Sequence, residues 1–241
     1  MSEDFVICSC TKKILTASRL HSIEHLLSVH TSLRTADSLT LPTSTEQKST
    51  LSKKVRNIVN NICPISEKSF LEMETSLKFE TFKKGETFIQ KNRQNEKEYF
   101  VLTGICKSYL ISPDGDEITV SFFTDSSVLT PYAIRTPKGI SNQYFKALTD
   151  IELAVVNAKT FEQLMIDNTE IRNFANTVLQ NELISKVGKE IGLASLSARE
   201  RLIEFRKKYR LLENLIPHTD IASYLGITNI SLSRLRKDLM K

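Results

Sequence analysis

Pro217-His218-Thr219-Asp220-Ile221-Ala222-Ser223-Tyr224-Leu225-Gly226-Ile227-Thr228-Asn229-Ile230-Ser231-Leu232-Ser233-Arg234-Leu235-Arg236-Lys237 is the stretch whose reading decides the fold. Pro217 opens a helix where a missing N–H costs nothing. Ile221, Ala222 and Leu225 recur at helical spacing and form an inward stripe. Gly226 follows, and its lack of a Cβ permits the left-handed residue that ends a helix. Thr228 or Asn229 then caps a second helix, with Leu232 and Leu235 inward. Two short helices joined by so tight a turn make the helix-turn-helix layout.

In that layout the second helix lies in the major groove of DNA, so its outward positions must be polar and long enough to reach base edges or phosphates. Thr228, Asn229, Ser231, Ser233, Arg234, Arg236 and Lys237 are the candidate DNA-binding residues. Arg234 can pair bidentately with the O6 and N7 of guanine. Arg236 and Lys237, further along, are placed for phosphate, as are Arg206, Lys207 and Lys208 on the preceding helix. Charge agrees: residues 197–241 hold ten basic and five acidic side chains, which equals the +5 of the whole chain. Such asymmetry predicts a polyanion, here double-stranded DNA, as partner.

Upstream, Ser197 caps a basic helix over Ala198 to Tyr209. Before it runs an apolar stripe from about Thr169 to Ser195, with Ile171, Ala175, Leu179, Leu183, Val187 and Ile191 four apart. A helix about 25 residues long spans roughly 37 Å, more than a small barrel can cover. The stripe therefore predicts a helical partner, a second copy of the chain. A shorter helix carries Phe161, Leu164 and Met165. From Phe79 to Val156 the period is two, with turn signals at Lys83-Lys84-Gly85, Leu102-Thr103-Gly104 and Pro113-Asp114-Gly115. The runs Thr87–Gln90, Tyr99–Leu102, Ile105–Ile111, Glu117–Phe123, Tyr144–Leu148 and Glu152–Val155 read as strands of a small sandwich or barrel. Two short helices precede them, one striped by Val55, Ile58, Val59 and Ile62, the other capped by Ser66 and striped by Phe70, Met73 and Leu77.

The N-terminal stretch differs in texture. Seventeen of the first fifty residues are Ser or Thr, with no Gly and a single Pro. Residues 1–50 read as a partly disordered extension, with a short amphipathic helix over Leu15 to Val29 and a loose tail from Leu33 to Thr50. His21 and His25 share one helical face, a pair without a third ligand, so no metal is expected.

No apolar run approaches the roughly 18 residues a membrane helix needs. The opening Met1-Ser2-Glu3-Asp4 is acidic where a secretory signal is basic, and a cytoplasmic location follows. Cys8, Cys10, Cys63 and Cys106 are too scattered for a disulfide framework. Residues 31–217 contain no His, which argues against a barrel enzyme using His and carboxylate metal ligands. No enzymatic role and no cofactor are expected.

Taken with Phe82-Lys83-Lys84-Gly85-Glu86, Tyr99-Phe100-Val101-Leu102-Thr103-Gly104, Lys107, Ser112-Pro113-Asp114-Gly115 and Phe122-Phe123, the terminal motif Ile221 to Thr228 with Leu232-Ser233-Arg234 resembles the Crp/Fnr superfamily of transcription regulators, in the variant common in Bacteroidetes-type bacteria. The resemblance covers roughly residues 51–241. It implies an α+β architecture: an antiparallel β-roll of the cyclic-nucleotide-binding kind over 51–168, a dimerisation helix over 169–196 and an all-α helix-turn-helix domain over 197–241. It further implies a homodimer on a pseudo-palindromic operator, with RNA polymerase as a further candidate partner.

Members that bind cyclic AMP carry a Gly-Glu pair for the ribose and an Arg for the cyclic phosphate. Here the corresponding stretch is Thr124-Asp125-Ser126-Ser127-Val128-Leu129-Thr130-Pro131, with Ser126 at the glycine and no Glu after it. No Arg stands near Gln143-Tyr144-Phe145-Lys146-Ala147. A cyclic phosphate would lack its charge-assisted fork, so an effector other than cyclic AMP is expected. Ser126, Ser127, Thr130, Tyr132, Arg135, Gln143 and Tyr144 are the candidate ligand-binding residues. The cysteine spacing does not suit an iron–sulfur sensor, and Cys63 and Cys106 read as packing residues. The alternative is a ligand-sensing or protein-interaction β-roll without DNA binding.

Overall fold

The computed structural model describes residues 44–129 and 138–239. The expected helix at Leu15–Val29, the His21/His25 pair, Cys8 and Cys10, and the candidate ligand residues Thr130, Tyr132 and Arg135 lie outside them.

Two helices lead in, α1 (Ser44–Ile62) and α2 (Glu67–Glu74). Helix α1 starts earlier than the sequence suggested: residues 44–50, expected as loose tail, are helical. Nothing between Thr43 and Cys63 breaks a helix, Glu46 suits the positive end of the helix dipole, and the Thr50 hydroxyl donates to the Glu46 carbonyl at 3.0 Å. Ser66 caps α2 as read from sequence, accepting from the Ser69 N–H.

Among the described residues eight antiparallel strands follow: β1 (Lys78–Phe82), β2 (Thr87–Ile89), β3 (Lys97–Thr103), β4 (Cys106–Ile111), β5 (Glu117–Phe123), β6 (Ser127–Leu129), β7 (Tyr144–Ala147) and β8 (Ile151–Asn157). They form two four-stranded sheets, ordered β1-β8-β3-β6 and β2-β7-β4-β5. This is the antiparallel β-roll that the motifs implied. The β3–β4 turn depends on Gly104: its φ is +94°, and a Cβ there would stand 2.3 Å from the Asp150 carbonyl oxygen.

Period-two alternation sorts the strand side chains into layers. Tyr99 and Val101 of β3, with Leu153 and Val155 of β8, point between the sheets. Phe100, Leu102, Ala154 and Val156 point to the other face of the first sheet, where they meet Val55, Ile58 and Val59 of α1 and Phe70 and Met73 of α2. Two more helices complete that layer, α3 (Ala158–Asp167) and the N-terminal part of α4 (Thr169–Ser195), through Phe161, Ile171, Phe174 and Val178. Asn168 separates them and caps α4, accepting from the N–H groups of Glu170 and Ile171. Beyond Val178 the apolar stripe of α4 is uncovered in the single chain: Leu183 is 65% exposed, Ile184 71% and Ile191 58%.

The last three helices are α5 (Ala198–Lys208), α6 (His218–Leu225) and α7 (Asn229–Asp238). Ser197 closes a full capping box with Glu200 at the start of α5. Leu202, Phe205, Leu212, Ile221, Ala222, Leu225 and Leu232 form a third core, which extends onto the outer face of the second sheet through Ile105, Phe122 and Leu148. Adjacent residues of β5 thus serve different cores: Phe123 faces the roll interior and Phe122 the terminal helices. Among the described residues no helix is long and apolar enough to cross a membrane.

Candidate nucleic-acid interface and effector pocket

The turn between α6 and α7 forms as its residues dictate. Gly226 takes the left-handed conformation (φ 66°, ψ 38°). Its N–H donates to the Ser223 carbonyl and the Ile227 N–H to the Ala222 carbonyl, the hydrogen-bond pair of a Schellman motif. Thr228 then caps α7, its Oγ1 accepting from the Ser231 N–H at 3.1 Å. Leu232 is buried and Leu235 half-buried against α6.

The outward face of α7 carries Asn229, Ile230, Ser233, Arg234 and Lys237, all exposed. Thr228 is exposed as well, but its hydroxyl also meets that of Ser231 at 2.9 Å, so both are engaged in capping. Arg236 turns inward, ion-paired with Glu213 (2.5 Å) and hydrogen-bonded through Nη1 to the His218 ring (3.1 Å). Arg206 holds the same Glu213 carboxylate with two nitrogens, at 2.7 and 3.0 Å. These two cations together keep the Glu213 carboxyl below its ordinary range, chiefly through the Arg206 hydrogen bond. Lys207 pairs with Glu204 (2.7 Å) and Lys208 reaches Ser185 (2.6 Å). Of the basic groups assigned to DNA from sequence, the structure leaves Arg234 and Lys237 outward, with no ion pair among the described residues, and engages Arg206, Arg236, Lys207 and Lys208 within the chain. Ile230, 67% exposed near the start of α7, escaped the sequence reading because an apolar residue at a periodic position looks like core.

The terminal helices are tied to the roll by polar groups that no local pattern revealed. Lys107 of β4, the one basic side chain buried among the described residues, places its Nζ 2.6 Å from Asp220 in the first turn of α6 and 2.5 Å from Glu117. Glu117 also takes Lys146 at 2.6 Å. Burial pushes the Glu117 carboxyl up, but its hydrogen bonds and proximity to the two lysines outweigh this and leave it below its ordinary range. Beside them Ser223 of α6 accepts from the Thr119 N–H at 2.9 Å and donates to the Glu117 carbonyl. Phe122, Phe205, Tyr209 and Tyr224 pack ring against ring, with centroids 5.2–6.1 Å apart. Burial raises the Tyr209 phenol far above its ordinary value.

Of the candidate effector residues, Ser126 has φ +63°, a left-handed conformation that glycine adopts more cheaply. Its N–H donates to the Val101 carbonyl at 2.9 Å, and Ser127 Oγ donates to the Thr124 carbonyl at 2.6 Å. Tyr144 lies elsewhere. It stacks on Tyr109 at 5.1 Å, on the outer face of the second sheet with Lys107 and Lys146. Gln143 is fixed through its backbone to Ser141. The structure does not bring Ser126 and Ser127 together with Tyr144. Between the sheets Phe82, Phe88, Phe123, Phe145 and Tyr99 fill the space, with ring centroids 5.1–6.2 Å apart, and the Tyr99 hydroxyl donates to Asn95 at 2.9 Å. Cys63 and Cys106 are buried in different cores, and burial pushes the Cys106 thiol well up, as befits packing residues.

A roll of this topology, followed by a long helix and a helix-turn-helix, defines a class of two-part proteins by its fold, and the comparisons agree. Residues 79–168 match the cyclic nucleotide-binding domain family. A global nitrogen regulator from Nostoc sp. is 25% identical over 177 residues, covering 66% of this chain and 77% of its own. FixK2 from Bradyrhizobium japonicum superposes with a TM-score of 0.61 at 20% identity, covering 68% of this chain and 84% of its own. A transcriptional regulator of the crp/fnr family from Eubacterium rectale superposes at 0.58 and 19% identity, covering 73% and 84%. Residues 79–168 thus resemble the cyclic nucleotide-binding domain family, and the chain shares the fold of these solved structures. These relatives are regulators or share the regulator fold, and none is described as an enzyme.

Proposed function

We propose that this protein is a transcription regulator that binds double-stranded DNA as a homodimer on a pseudo-palindromic operator. The observation that carries the reading is the outward face of α7, where Asn229, Ser233, Arg234 and Lys237 stand exposed on a helix that a Schellman turn holds to α6. Arg234 reads a guanine, Lys237 meets phosphate one turn later, and Ile230 supplies an apolar contact for a thymine methyl. Dimerisation runs through the uncovered half of α4, and the names of the relatives support the regulatory role. The aromatic filling of the roll, and the lack among the described residues of a buried cation facing inward, favour an effector other than cyclic AMP. RNA polymerase contact belongs to the same proposal.

Fluorescence anisotropy with duplexes from the region upstream of the protein's own coding sequence tests it. Tight, salt-sensitive binding to one duplex over scrambled competitors is expected. Equal, weak binding to all of them would favour the alternative, a sensing module that works through protein contacts.

A further inference from the structure

The half of α4 that faces the terminal helices borders a cavity of about 550 Å³, within the range that holds a small organic ligand. Ile191, Leu193, Leu196, Phe205 and Leu225 supply apolar walls, and Gly188 opens the floor, since a Cβ added there would meet nothing within 4 Å.

Two lysines line the same cavity. Lys189 places its Nζ 2.7 Å from the Val120 carbonyl and 3.9 Å from the centre of the Tyr224 ring. Lys208 donates to Ser185 at 2.6 Å. An ammonium has three donors, and among the described residues neither lysine has a carboxylate within ion-pair distance. Two acids are near: Glu182 pairs with Lys186 at 3.2 Å and also acts on Lys208, and Glu204, itself on the cleft wall, pairs with Lys207. Burial and the neighbouring Lys186 and Lys208 push Lys189 down to about 8. Burial likewise lowers Lys208. Arg201 also lines the cleft, so three cations stand there against one carboxylate, Glu204, and an incoming anion gains charge-assisted contacts, most of all at the half-buried Lys189.

We propose that this cleft binds a small amphipathic carboxylate, its charged end between Lys189 and Lys208 and its apolar tail along Ile191, Leu196 and Phe205. A second copy of the chain fits less well. Ile184 and Ile191 of the exposed stripe line its rim, but Leu183 and Val187 do not, and an apolar helix seated deep in the cleft would bury the Lys189 ammonium without compensation. The assignment goes beyond the DNA-binding reading and does not require it.

Titration calorimetry of the full-length protein with decanoate tests it, with decanol and decyltrimethylammonium as neutral and cationic probes. One saturable decanoate site per chain is expected, with the other two probes binding at least about tenfold more weakly, as loss of a charge-assisted contact implies. Lys189→Met and Lys208→Met should each weaken decanoate by a similar factor, while Lys159→Met, on α3 and outside the cleft lining, should leave it unchanged. Gly188→Leu should abolish binding by filling the floor, with helicity by circular dichroism and the sedimentation coefficient both retained. Equal affinity for decanol, insensitivity to all the cleft variants, or no saturable heat overturns the proposal. So does a Gly188→Leu variant that binds no decanoate and sediments as a monomer, which would make the cleft a dimer seat.

Discussion

Replacing Lys107 with Met removes the cation that joins the roll to α6 while keeping the length of its apolar stem. Asp220, itself buried, then loses the ammonium 2.6 Å away. Glu117 keeps Lys146 at 2.6 Å. The cost therefore falls on Asp220. Orphaning one member of a buried pair costs about 3–5 kcal/mol. Asp220 lies in the first turn of α6, where the helix dipole returns about 0.3–1 kcal/mol to a carboxylate. The net loss is about 2–5 kcal/mol, or roughly 4–20 °C in melting temperature for a chain of this size. Differential scanning calorimetry measures it, and hydrogen exchange of the β5 and α6 amides shows where the loss is felt. Lys107→Met combined with Asp220→Leu removes both charges and should recover most of the stability, because an apolar pair of similar volume replaces a buried ion pair at little net cost. A single variant that melts within 1 °C of the parent, or a double variant no better than the sum of its singles, would refute the reasoning.

Three further outcomes are expected. Glu170 sits at about 2, held there first by hydrogen bonds from the Ser66 and Ser69 hydroxyls. Its folded value lies below the ordinary 4.5, so its contribution is complete above that pH and is lost as pH falls from about 4.5 towards 2. Urea midpoints measured over this window should fall less steeply in Glu170→Gln. Leu183→Glu with Val187→Glu should give monomers by sedimentation velocity, since both residues lie on the exposed stripe of α4. Surviving dimers would move the interface elsewhere. Gly226→Ala forces a Cβ into the left-handed region, 3.3 Å from Leu193 Cδ2. It should cost about 1–2 kcal/mol, read as a lower melting temperature, with Gly226→Asn costing less.

The sequence was most legible where a local rule acts alone. Glu117–Phe123, alternating from Glu117 to Phe122, is a strand with the bounds read from sequence, and Thr169–Ser195 is the helix its stripe predicts. Ser66, Ser197 and Gly226 cap and turn as their side chains require. Strand β6 escaped notice because three residues carry too little period to read. The Lys107–Asp220 contact escaped because its partners are 113 residues apart and each looks like an ordinary surface charge. The same limit affected the charge count: Arg206 and Arg236 add to the basic tally of the terminus, yet both are held by Glu213. Tyr144 was read as lining the pocket, but alternation within β7 turns Phe145 inward and Tyr144 out.

Selection of duplexes from a random pool by the full-length protein tests the central claim most directly. The account predicts a two-fold symmetric consensus with half-sites centred one helical turn apart, roughly 34 Å. Arg234→Ala should relax preference at one base pair in each half-site, with a loss of about 1–3 kcal/mol there. Lys237→Ala should weaken all sequences alike and flatten the log–log salt dependence by about one unit per lost phosphate contact. Recovery of no symmetric sequence, or of the same consensus at undiminished affinity with Arg234→Ala, would contradict it.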